Sequence, residues 1–200
     1  ASPYYKVKNE ISKYYDTNSV TQANGKVTYN WTVDLKQYNG QFRGQTLNDT
    51  MTAADSSNNS LSHTIVNGSF NLYYDTDGGE NYSNVLDDSL YTITVSADGT
   101  HYEIKFANDD ALDKISNIRV TYSSQIDVSS LNAGDKVTFN NKAEYNGKTG
   151  EPEASKRTYN VKDEGQAPYV KMDPATDSTE TTIKDLDELT TVEYNGKTYY

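Results

Sequence analysis

Cysteine is missing from all 200 residues of this chain. No disulfide can staple the fold, so its stability has to come from elsewhere. Basic charge is scarce as well: 18 Lys and Arg stand against 29 Asp and Glu, a formal charge of -11. That balance argues against a nucleic-acid partner, because displacing counterions from phosphates needs clustered cations. It argues equally against an anionic membrane surface, and an excess of acid keeps an exposed protein soluble. Histidine occurs only as His63 and His101, in separate polar contexts, which speaks against a zinc site or a Ser-His-Asp triad. No apolar run is long enough to span a bilayer, and no signal peptide opens the chain. From Ala1-Ser2-Pro3 onward it reads as a mature or excised piece of something longer.

Helical periodicity is nearly absent too, with one turn expected at residues 108–114, capped by Asn108, and another at 185–189. What the chain does have is aromatic mass, 18 Tyr, 4 Phe and one Trp, against a hydrophobic content of 34%. Tyrosine suits a polar-surfaced β protein in which one end of the ring stays wet. Residues 27–35 alternate without a fault, apolar at odd positions, and are the clearest strand. Further strands are expected at 45–51, 65–73, 91–95, 101–106, 137–145 and 157–161, with Ile118, Val120 and Tyr122 on one face of another. Asp98-Gly99 and Asn146-Gly147 mark hairpins. Turn signals recur every 8–12 residues or so, the spacing of a sandwich. The expected fold is an all-β sandwich over residues 1–165. Residues 166–200 form an extension, either the start of a second module or a packed latch strand. The hexapeptide Glu-Tyr-Asn-Gly-Lys-Thr, present at 144–149 and again at 193–198, fits a second module or simply repeated turn chemistry.

Two strands carry a polar residue on the face that should be buried. Asn141 shares a face with Val137, Phe139, Ala143 and Tyr145, and Asp49 shares one with Leu47 and Met51. A carboxamide and a carboxyl aimed into an all-β core need a chemical reason. One is plain: a buried Asn satisfies backbone groups at a bulge, and an Asp caps a turn. The other is reactive.

Three segments bear on that choice. Residues 26–51, KVTYNWTVDLKQYNGQFRGQTLNDTM, resemble the opening strands of Gram-positive collagen-adhesin and pilin immunoglobulin-like domains. VTFNNKAEY at 137–145 resembles the closing strand of that family, and SPYYKVKN at 2–9 its lysine-bearing first strand. The three lie in the right order over roughly residues 3–162. The resemblance implies a spontaneous Lys–Asn isopeptide bond, with Asn141 as acyl donor, Asp49 as assisting acid and Lys6 as nucleophile. Lys8 is the rival to Lys6, and Lys13 is open as well. It further implies a non-enzymatic, extracellular, cell-wall-anchored surface protein or pilus component. Its partners would be a host extracellular-matrix or glycan ligand and neighbouring modules of the same chain.

The residue types fit such chemistry. Burial among aromatics disfavours an ammonium ion and so frees an amine to attack. Burial likewise favours the neutral form of a carboxyl, which can hydrogen-bond the amide and polarise its carbonyl. Strand packing supplies orientation, for which effective molarities of about 10⁵–10⁸ M are known. A cross-link closing so long a loop stabilises by roughly 4–5 kcal/mol, by analogy with a disulfide.

The other candidate is Asp75, Asp77 and Glu80, whose alternate oxygens loosely resemble a calcium loop without its twelve-residue pattern. A solvated acidic turn is the favoured reading there, with calcium as the alternative cofactor. Loop 52–64 and the long segment 74–90, tipped by Tyr74 and Tyr82, are the expected contact surface. An alternative function, a carbohydrate-binding accessory sandwich of a secreted glycan-degrading protein, would use exposed tyrosines and calcium at 75–81.

Overall fold

The computed structural model describes residues 10–36, 41–165, 192–194 and 197–199. The chain divides into two compact units, Ala1–Lys162 and Asp163–Tyr200. The first is an all-β, immunoglobulin-like sandwich of two antiparallel sheets. In the second, strands at Val192–Tyr194 and Lys197–Tyr199 pair antiparallel across the repeated hexapeptide.

One sheet is built on β3 (Lys26–Lys36) and β11 (Asn117–Asp127), paired over their whole length. On the far side of β3 lie β1 (Glu10–Tyr15) and β2 (Thr21–Ala23). On the far side of β11 lie β6 (His63–Ile65) and β7 (Asn71–Asp75), with β8 (Asn84–Val85) beyond. The other sheet centres on β4 (Thr46–Asp55) and β12 (Lys136–Tyr145). Beside β4 run β5 (Ser60–Leu61) and β10 (His101–Phe106), and β9 (Tyr91–Val95) follows β10. Two short strands flank β12, namely β13 (Lys148–Gly150) and β14 (Thr158–Asn160).

Period-2 patterning decides which faces meet. Val27, Tyr29, Trp31, Val33 and Leu35 of β3 are all buried, as are Ile118, Val120, Tyr122 and Ile126 of β11. Opposite them lie Leu47 and Met51 of β4 and Val137, Phe139, Ala143 and Tyr145 of β12. Aromatic rings fill the gap between the sheets, with Phe139 against Tyr29 at 4.8 Å and Tyr102 against Tyr122 at 4.9 Å. Asn146 and Gly147 both have positive φ, 50° and 73°, as a tight hairpin between β12 and β13 demands.

Three expectations change. Residues 65–73 are two strands, not one: the chain turns at Asn67-Gly68 and returns to the same partner, β11. Segment 52–64 is largely strand, belonging to β4, β5 and β6. The turn near residue 110 is a 3-10 helix, Asp110–Lys114, capped by Asp109, whose carboxyl accepts from the Ala111 amide at 2.8 Å. The turn expected at 185–189 lies outside the described residues.

Candidate functional site

Asp49 and Asn141 are inner-face neighbours in the second sheet, where Asp49 pairs in register with Ala143 and Asn141 with Met51. Both are fully buried. Across the sandwich, β1 presents alternate residues inward, and Lys13, paired with Val33, points its side chain into the gap. The Lys13 side chain has no solvent exposure. Its ammonium nitrogen, Nζ, donates to Asp49 Oδ2 and lies 2.5 Å from Asn141 Oδ1. Gly150 of β13 lets β1 come this close: a Cβ there would sit 3.3 Å from Lys13 Cβ and 3.1 Å from Ile11 Cγ1.

Tyr122 completes the group. Lys13 Nζ donates to its hydroxyl at 2.7 Å, and Asn141 Nδ2 donates to the same oxygen at 2.8 Å. The hydroxyl itself donates to Asp49 Oδ2 at 2.8 Å, with Asn141 Oδ1 at 3.2 Å as its other acceptor. The Trp31 and Tyr122 rings face Nζ at 5.0 and 5.2 Å from their centroids. Tyr102, register partner of Asp49, closes the pocket from β10. Its hydroxyl and Asp49 Oδ1 are buried without a hydrogen-bond partner, an arrangement native cores rarely keep.

The electrostatics follow from burial. Desolvation pulls Lys13 below the ordinary lysine value, and the Asp49 charge and hydrogen bond only partly oppose it. Burial first, and the neighbouring Asp49 charge second, hold the Tyr122 and Tyr102 hydroxyls well above the ordinary phenol value. The arrangement thus sets an amine inclined to lose its proton against an amide, with a carboxyl on the amine and a phenol touching both partners. Acyl transfer from the amide to the amine is chemistry within its reach.

Of the residues the sequence singled out, Asp49 and Asn141 are brought together. Lys6 and Lys8 lie outside the described residues, and the lysine that reaches the pair is Lys13. Alternation could have found it, since Ile11, Lys13 and Tyr15 share one face of β1. Nothing in the sequence distinguished Tyr122 from a core tyrosine.

Asp75, Asp77 and Glu80 do not form a ligand set: among the described residues no three acids or histidines gather for a metal. Asp75 is buried and accepts from Asn117 Nδ2 at 2.9 and 3.1 Å and from the Glu80 amide at 2.6 Å. Asp77 accepts from the Gly79 amide at 2.8 Å, and Glu80 pairs with Lys36 at 3.1 Å. The acids fold their own loop. Tyr74 packs on the core, and the Tyr82 ring lies 4.2 Å from the Arg119 guanidinium, so neither is a free tip.

No protein-family model matches the sequence, and no curated protein matches it. Solved structures do. The chain is similar in structure to Gram-positive pilins and collagen-binding adhesin domains. The pilus backbone protein RrgB of Streptococcus pneumoniae aligns with 70% of this chain and 32% of its own, at 12% identity and a TM-score of 0.43. BcpA, the major pilin subunit of Bacillus cereus, aligns with 73% of this chain and 39% of its own, at 13% identity and 0.44. The collagen-binding domain of a Staphylococcus aureus adhesin aligns with 76% and 97%, at 11% identity and 0.38. The chain therefore spans well under half of each pilin's length. At such low identity the likeness concerns the fold, and the chemistry of the site stands on its own residues.

Proposed function

We propose that this sandwich is a structural module of a Gram-positive surface adhesin or pilus, closed by a spontaneous amide bond between Lys13 Nζ and Asn141 Cγ. It is extracellular, joins neighbouring modules of a wall-anchored chain and turns over no external substrate. The observation that carries this reading is the contact of a fully buried lysine with a buried asparagine and aspartate from the opposite sheet. A buried charge pair is a poor way to stabilise a core, which apolar side chains of the same volume fill at least as well. Reactivity is a better reason to keep one.

The bond would tie β1 to β12. Force applied to the chain beyond residues 13 and 141 would then pass through the link without unravelling what lies between. A tensile protein without disulfides gains most from such a device. The glycan-binding alternative expects exposed tyrosines to stack on sugars; among the described residues of the sandwich Tyr14 is the one prominently exposed tyrosine, at 44%.

Intact mass tests the reading. The folded protein is expected to weigh one ammonia less than its sequence, with a branched peptide joining Lys13 to Asn141 after proteolysis. A folded protein of full mass would overturn it.

A further inference from the structure

We infer that Tyr122 is a catalytic residue of this bond-forming step, the relay that carries a proton from Asp49 to the departing nitrogen of Asn141. The inference rests on the cross-link proposed above and adds a fourth participant to it. Tyr122 OH stands between the two groups that must exchange a proton, 2.8 Å from Asp49 Oδ2 and 2.8 Å from Asn141 Nδ2. Asp49 Oδ2 accepts hydrogen bonds from Lys13 Nζ and from Tyr122, whereas Asn141 Nδ2 donates to Tyr122 and not to Asp49. The phenol bridges that gap.

The step balances as follows. One proton passes from Nζ to Asp49 Oδ2, leaving a neutral amine and a carboxylic acid. The amine lone pair attacks Cγ of Asn141, the Cγ–Nζ bond forms, and negative charge moves to Oδ1. Before attack the amide nitrogen is conjugated and can only donate, as it does to Tyr122. Once Cγ is tetrahedral its lone pair is free, and the same contact reverses: Tyr122 gives its hydrogen to Nδ2 and takes one from Asp49. Asp49 takes the surplus proton of Nζ. Charge on Oδ1 then returns to form the new carbonyl, the Cγ–Nδ2 bond breaks, and ammonia leaves. Amine and primary amide have become a secondary amide and ammonia, with Asp49 and Tyr122 as they stood before attack.

The hydroxyl suits the task because it is sheltered from water and already bonded to both groups, so it can take a proton from one side as it gives one on the other. Tyr29 provides the contrast, a buried core tyrosine whose ring packs on Phe139 at 4.8 Å and whose hydroxyl is not a partner of Lys13, Asp49 or Asn141.

The test is a short cell-free synthesis pulse of the full chain, quenched at intervals and read by intact mass. Tyr122→Phe keeps the ring and is expected to slow ammonia loss by about 10²-fold or more, the usual scale of a general acid. Tyr29→Phe is expected to react at the wild-type rate. Solvent D₂O should slow the wild type more than Tyr122→Phe, a difference that a packing role would not produce. Wild-type rates in Tyr122→Phe, or equal slowing of both Phe variants with equal isotope effects, would overturn the relay and leave the cross-link standing. Full mass in the folded wild type would overturn both, and is recognised because it needs no variant.

Discussion

Lys13 and Asn141 are 128 positions apart in sequence and belong to opposite sheets, yet Nζ of one lies 2.5 Å from Oδ1 of the other. Neither strand alone creates that contact. It exists only when both sheets have closed, so the proposed cross-link would follow folding and could not lead it.

That order fixes what Asn141→Ala should do. The variant can still fold, since Val137, Phe139, Ala143 and Tyr145 keep the core face of β12. It loses the acyl group, so its mass should equal the sequence mass. Releasing a loop of this length should lower unfolding free energy by roughly 4–5 kcal/mol through the unfolded state. Denaturant titration beside intact mass checks both, and equal midpoints for variant and wild type would contradict the assignment.

The amine and acid are each a liability without the other. Lys13→Met strands the Asp49 carboxyl in a dry core and should cost about 3–5 kcal/mol beyond the loss of the bond. Adding Asp49→Leu removes the stranded group, and the double variant should regain most of that cost. The comparison belongs against the uncross-linked Asn141→Ala background, so that only the pair is measured. A double variant no more stable than Lys13→Met would mean that the two side chains do not depend on each other.

His63 gives the fold an acid limit. Its ring is buried, with Nδ1 3.1 Å from the Thr52 carbonyl and Nε2 2.8 Å from Ser124 Oγ, which also accepts from Trp31 Nε1 at 2.8 Å. Ser124 thus donates to Nε2, and the neutral tautomer with its proton on Nδ1 satisfies every partner. Desolvation, with a smaller push from Lys13, lowers its pKa from 6.5 to about 4. Between those values the unfolded chain binds a proton that the native state refuses. The stability this neutral ring contributes is therefore complete above pH 6.5 and is lost as pH falls toward 4, by about 3 kcal/mol. His63→Gln should flatten that part of the curve, measured as the difference between variant and wild type from pH 7 to 4. Parallel curves would refute it.

The fold was legible because its main strands bury one face each. Alternation in β3 and β12 is unbroken, and hairpin chemistry at Asn146-Gly147 and Asp98-Gly99 marks the reversals. Asp49 and Asn141 were legible for the same reason, as polar residues on apolar faces. Two kinds of fact were not. Alternation marks Lys13 and Tyr122 as inward residues but cannot say that they meet each other, because that depends on how the two sheets are offset. Asp34 is nearly inaccessible although it faces away from the core, since Arg119 covers it with bonds of 2.7 and 2.9 Å and Tyr82 stacks on that arginine. Such cover comes from a distant loop and leaves no periodic trace.

The acidic loop at 75–80 provides the last expectation. Asp75 is committed to the Asn117 amide and the Glu80 backbone, and the positive φ of Glu80, 62°, turns the chain so that its amide can reach that carboxyl. A cation would have to displace these bonds and would find Asp77 and Glu80 engaged elsewhere. Calcium and a chelator should therefore leave the melting temperature unchanged. Asp75→Ala, by contrast, orphans the Asn117 amide, which is 7% exposed, and should cost about 1–3 kcal/mol. Asp77→Ala, touching only a solvent-facing turn, should cost far less. A rise in melting temperature with calcium that disappears in Asp75→Ala would reverse this reading and restore the loop as a metal site.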